Sequence, residues 1–208
     1  MKKLLILTLL ILAFHLTSCM SILQSIYGIK DPKIISDTEI IKSSKKFKVD
    51  QNTSYKLDTS YYSFIINLDT NLFKVQRKNH IQPLQALYFN SQGELVKFYI
   101  NCYAGGFPNL DWNRDGNLET FLPKDQAPVD TILNLQKLVN FLRPVKTSTN
   151  QDFENQDYNV FVFWSKCTKR HSKRLIRSIK ENISLAKSTK VKIYYVNYDN
   201  VFYRLENM

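Results

Sequence analysis

Two cysteines, one basic stretch and one run of oxygen-bearing side chains hold most of the chemistry that the body of this 208-residue sequence offers. Cys167 stands among Lys166, Lys169, Arg170 and His171, where an apolar run gives way to a helical pattern. Cationic neighbours and the N–H groups of a helix end both stabilise a thiolate and lower a thiol pKa from about 8.5. That setting suits a single reactive thiol, with Cys102 as its resolving partner. The bland reading is a small, inert core residue placed after a strand. The three histidines, His15, His80 and His171, are scattered, and no His/Cys group has the spacing of a zinc site.

Lys169, Arg170, Lys173, Arg174, Arg177 and Lys180 interleave with Ile176, Ile179, Ile183 and Ala186. The spacing predicts a helix with one face on a sheet and the other strongly cationic. Such a face either docks an anionic surface, each basic residue being worth about 1 kcal/mol there, or is a solvated face kept soluble by like charge. The run Asp111-Trp112-Asn113-Arg114-Asp115-Gly116-Asn117-Leu118 matches the first eight positions of an EF-hand loop, with Asp111, Asn113 and Asp115 at ligand positions. Position twelve, which needs a bidentate acid, is Leu122, and Pro123 follows it. The run is therefore a weak calcium candidate and reads more simply as an Asp/Asn/Gly-rich turn. No glycine-rich phosphate loop, Gly-x-Ser-x-Gly elbow or paired-carboxylate motif is present, and the sequence calls for no cofactor.

The elements that must position these residues follow from periodicity. Ser36 and Glu39 stand three apart before Ile40-Ile41, a capping box opening a short helix to about Phe47. Residues 53–57 read as a strand and 61–73 as a helix. Residues 85–89 and 94–100 flank Asn90-Ser91-Gln92-Gly93 and predict a β-hairpin. A loop-rich insert covers about 101–128. A helix is expected over 129–142, closed by Pro144. After a polar stretch come a buried-type strand at 158–164, a helix from about 168 to 186 and a strand at 191–198. Strand, helix and strand in that order normally make a parallel pair. The expected fold class is α/β, with a mixed sheet of about five strands and flanking helices.

The chain opens Met1-Lys2-Lys3 and runs apolar from Leu4 to Leu16, the pattern of an export signal. The run is shorter than the roughly 20 residues that span a bilayer. Leu16-Thr17-Ser18-Cys19 resembles the lipobox of bacterial lipoproteins. That resemblance implies removal of residues 1–18 and a thioether lipid on Cys19, with residues 19–35 as a tether and 36–208 as the domain. Two or three acyl chains on one residue make a lasting membrane anchor. No Asp follows Cys19, so an outer-membrane, periplasm-facing location is the expectation. Removing the signal leaves 27 basic against 18 acidic residues, a net +9. Outside the cytoplasm that charge points to anionic lipid, glycan or an envelope protein as partner rather than nucleic acid. Alternatively it reflects only a lysine-rich proteome. In an oxidising compartment Cys102 and Cys167 can also pair as a disulfide.

The run Val160-Phe161-Val162-Phe163-Trp164-Ser165-Lys166-Cys167 resembles the active-site entrance of thioredoxin-like proteins, and the Pro83–Val96 hairpin resembles the hairpin that begins at that family's cis-proline. Here the hairpin precedes the cysteine unit, so the resemblance implies a circularly permuted or rearranged thioredoxin-like fold over about residues 53–198. It is also similar to lipoproteins of Bacteroidota that carry no assigned activity. The second cysteine of the redox motif is replaced by Arg170, which excludes a dithiol cycle within one motif. The reading that results is a non-enzymatic binding or structural module on a membrane, with a single-thiol protein using Cys167 and a calcium-stabilised module as alternatives.

Overall fold

The computed structural model describes residues 28–106, 109–146, 153 and 155–207. The signal, Cys19 and the first part of the tether lie outside these residues. Helix α1 (Asp37–Lys46) begins at the expected capping box: Glu39 N–H donates to Ser36 Oγ and Ser36 N–H to the Glu39 carboxylate, both at 3.3 Å. Strand β1 (Ser54–Leu57) follows. The single helix expected over 61–73 is two, α2 (Ser60–Ile66) and α3 (Thr70–His80). Asp69 accepts from the N–H groups of Asn71 and Leu72 and so starts a new helix, a local bond that competes with continuing the old one.

The hairpin forms as read, from β2 (Gln85–Asn90) and β3 (Leu95–Ile100). Gly93 takes φ +78° in the turn, and Asn90 Oδ1 accepts from Gln92 and Glu94 N–H. The insert after it holds a one-turn α4 (Asn101–Ala104) and is pinned to β3 where Ala127 N–H donates to Phe98 O. The helix expected over 129–142 shrinks to α5 (Leu135–Asn140), because Asn134 caps Lys137 N–H and Asp130 is held elsewhere by His80. Residues Leu142–Pro144 form β4, a sixth strand absent from the sequence reading. Then come β5 (Tyr158–Trp164), α6 (Lys169–Ile183), β6 (Val191–Asn197) and a last helix, α7 (Asp199–Glu206).

The strands form one mixed sheet in the order β3-β2-β5-β6-β1-β4. β5, β6 and β1 run parallel, while β2–β3, β2–β5 and β1–β4 are antiparallel. Side chains alternate across the sheet as strand geometry requires. Val160, Val162 and Trp164 point to one face, where α1 and α6 pack through Ile40, Leu175, Ile176 and Ile179, and where the insert adds Trp112 and Leu118. Phe161 and Phe163 point to the other, against Tyr61 and Ile65 of α2, Leu138 of α5 and Val201 of α7. Both cores fall between residues 35 and 201, so a chain beginning at residue 19 retains all of them. Among the described residues no helix is long and apolar enough to cross a membrane.

Candidate anionic-ligand groove and the Cys167 thiol

Helix α6 presents its basic residues as the periodicity requires. Leu175, Ile176 and Ile179 are buried on the sheet, Lys169, Arg170, Lys173, Arg177 and Lys180 are exposed, and Arg174 is half-buried. The face is not a free convex surface, however. The C-terminal end of α1 stands opposite it and closes a groove of about 400 Å³, with Lys46 and Lys48 on one wall, Lys173, Arg177 and Lys180 on the other, and Phe47 and Ile176 as apolar lining. A second cavity of about 360 Å³ shares Lys46 and Phe47 with it and adds Lys30, Lys166, Lys169 and Arg170. Lys30, Lys46, Lys48 and Lys166 are the residues that the sequence reading did not assign to this site. Their only sequence signal is their charge: Lys30, Lys46 and Lys48 come from segments more than 100 residues before α6, and Lys166 from the turn just ahead of it.

Carboxylates are few along this groove. Among the described residues, of the six basic α6 residues only Arg177 has one within 4 Å, Glu181 at 3.9 Å. Lys166 is paired with Glu39 at 2.8 Å, which holds the Glu39 carboxyl below its ordinary range. Lys180 donates to the Lys48 carbonyl at 2.6 Å and lies over the Tyr195 ring at 5.4 Å. Its partial burial, and secondarily the neighbouring Lys48 charge, lower its pKa against the opposing pull of Asp50. Arg174 donates to Asn109 Oδ1 at 3.3 Å. Like charges converging with little compensation make an environment that an anion stabilises.

The surroundings of Cys167 are those of a buried core thiol. It lies just before α6 and is buried, and its Sγ is 2.9 Å from Ser165 Oγ. Ser165 donates its hydroxyl proton to Asp199 Oδ1 at 2.6 Å, so the thiol proton is the one shared between sulfur and Ser165. Burial raises the Cys167 pKa from an ordinary 9.0 to about 12, and the Asp199 charge adds to the rise. The lysines and arginine around it in sequence are exposed and screened by water, so they do not offset these effects. Asp199 is itself a structural anchor. Its buried carboxylate accepts from the Lys166 and Cys167 backbone N–H groups and from Asn197 Nδ2, which ties the β5–α6 turn to the start of α7.

Cys102 is exposed on α4, and both thiols are free, so the disulfide expected as one option is not formed. The Gln82–Pro83 peptide is trans, unlike the cis-proline of the family the hairpin resembles; among the described residues the cis peptide is Phe121–Leu122. The calcium candidates are engaged in the turn itself. Asp111 Oδ1 accepts from Asn113 N–H, Asn113 Oδ1 accepts from Leu118 N–H at 2.6 Å, and Asp115 sits at φ +58° in a tight turn. Among the described residues no group of three acidic, histidine or cysteine side chains is placed to hold a metal. Compared with known protein families, curated proteins and solved structures, the chain matches none.

Proposed function

We propose that this protein is a cell-envelope lipoprotein, anchored through Cys19, that binds an anionic membrane surface through the groove between α1 and α6 and carries out no catalysis. The observation that carries this reading is the convergence of basic side chains from α1 and α6 on the groove, continued by Lys30, Lys166, Lys169 and Arg170 in the cavity that shares its Lys46–Phe47 wall, with Glu181 the one carboxylate among the described lining residues. Eight residues separate Cys19 from Gly28, so the two are at most about 32 Å apart along an extended chain. A lipid on Cys19 therefore keeps the groove within reach of the bilayer that holds it. The parallel β5–α6–β6 unit beside the antiparallel hairpin supports the rearranged thioredoxin-like reading of the fold. The raised Cys167 pKa argues for the binding role over the single-thiol one.

The test uses the chain from residue 19 with Cys19→Ser, which receives no lipid. The expected result is association with phosphatidylcholine vesicles only when phosphatidylglycerol is included. Lys173→Gln with Arg177→Gln should weaken it by roughly tenfold or more, at about 1 kcal/mol per basic residue near such a surface. Equal binding by this variant and the parent would remove the proposal.

A further inference from the structure

The segment Gly28–Lys30 also borders a different cavity, again of about 360 Å³, lined largely by apolar atoms of Ile29, Pro83, Leu84, Leu110 and Phe202, with Cys102 at its wall. Consecutive residues divide the two spaces. Gly28 and Lys30 line the cationic cavity while Ile29 lines the apolar one. Across from them, Lys169 and Arg170 line the first while Thr168 and His171 line the second. The segment is tied down where Lys30 N–H donates to the Cys167 carbonyl at 2.9 Å. Gly28, at φ +67°, lets the chain pass against Arg170, whose Cβ lies 3.4 Å from where a Gly28 side chain would begin. A cationic space and an apolar one thus share the Gly28–Lys30 segment and the start of α6 as their common border.

Resting on the groove reading above, we propose that the occupant is a single-chain anionic amphiphile, a lysophospholipid or alkyl phosphate type of lipid. Its head lies among Lys30, Lys46, Lys169 and Arg170, and its chain reaches past Gly28–Lys30 into the apolar cavity. Charge complementarity selects the head. The cavity's volume, at the lower end of ligand pockets, selects one chain rather than the two of a phospholipid. Free phosphate satisfies only the first compartment.

The experiment titrates the lipid-free chain (residue 19 onward, Cys19→Ser) with inorganic phosphate, butyl phosphate, dodecyl phosphate and dodecyltrimethylammonium, each below its micelle concentration. Calorimetry reads affinity, and intact mass reads the rate at which Cys102 is alkylated. Each methylene taken out of water is worth about a threefold to fourfold gain in affinity. Dodecyl phosphate is expected to bind at least a hundredfold tighter than butyl phosphate and to slow Cys102 alkylation severalfold. Cys102→Trp, which narrows the cavity from its exposed wall, should erase the chain-length gain and leave butyl phosphate binding intact. Equal affinity for the two alkyl phosphates, with Cys102 unprotected, overturns the chain site while leaving the groove reading in place. Equal protection by the cationic amphiphile overturns the head assignment. No binding of any phosphate, together with no binding to phosphatidylglycerol vesicles, removes both readings.

Discussion

Replacing Asp199 by alanine should destabilise the protein more than any surface change, and the amount follows from its hydrogen bonds. Asp199 is 1% exposed and accepts from Ser165 Oγ at 2.6 Å, Lys166 N–H at 2.8 Å, Cys167 N–H at 3.3 Å and Asn197 Nδ2 at 2.6 Å. Each buried donor left without an acceptor costs about 1–3 kcal/mol. Cys167 N–H keeps Ser165 Oγ at 3.2 Å as an alternative, and removing a buried charge returns part of its desolvation cost. The net expectation is about 3–5 kcal/mol, which for a domain of this size lowers Tm by roughly 10 °C. Differential scanning calorimetry reads it directly. Asp199→Asn should also destabilise, since its NH2 group would face the Asn197 Nδ2 donor. Pairing it with Asn197→Asp restores an acceptor across the contact and should recover most of the loss. A Tm for Asp199→Ala within about 2 °C of wild type would refute the anchoring role that the bond count assigns.

The Cys167 thiol should resist alkylation until the pH approaches 12, while exposed Cys102 reacts first; a Cys167 midpoint below 9 would revive the single-thiol reading. The same group makes stability pH-dependent on the alkaline side. An unfolded thiol ionises near 8.5–9 and the folded one near 12, so the contribution is constant below about 9 and declines as pH rises from there towards 12. The slope from this one thiol is at most about 1.4 kcal/mol per pH unit, and Cys167→Ala should flatten the urea-unfolding profile by that share. Millimolar calcium added to metal-free protein should leave Tm unchanged, because the Asp111 and Asn113 oxygens already serve the turn; a rise of several degrees would contradict that geometry. Ser36→Ala should cost about 1 kcal/mol by removing the α1 cap, read as a lowered denaturant midpoint.

The parts of the fold that were legible in the sequence are those where one local signal dominates. Val160 to Trp164 is apolar on both faces and has no alternative but a central strand. The α6 stripe has a strong 3.6-residue period, and Ser36 with Glu39 marks a helix start chemically. Legibility failed where a single polar side chain redirects the backbone, as Asp69 does between α2 and α3 and Asn134 does before α5. It failed again at β4, whose three residues end in Pro144 and are strand only because β1 offers an edge to pair with. At Cys167 the basic neighbours were visible in sequence, but the decisive partners were not: Asp199 lies 32 residues on, and burial is a tertiary property. The groove was half legible, since the α6 wall is periodic and the α1 wall is brought to it only by the shared packing of both helices on Trp164 and its neighbours.

Vesicle association of two matched variants separates binding through the groove from attraction by net charge. Lys46→Gln with Lys48→Gln removes two charges from the α1 wall. Lys74→Gln with Lys78→Gln removes two exposed charges from α3, which packs beside α2 on the other side of the sheet. Both lower the net charge by the same amount. On vesicles of phosphatidylcholine with phosphatidylglycerol, the α1 pair should lose roughly tenfold or more in partitioning while the α3 pair stays within about twofold of the parent. Equal losses by the two variants would show that the protein responds to total charge alone and would contradict the groove.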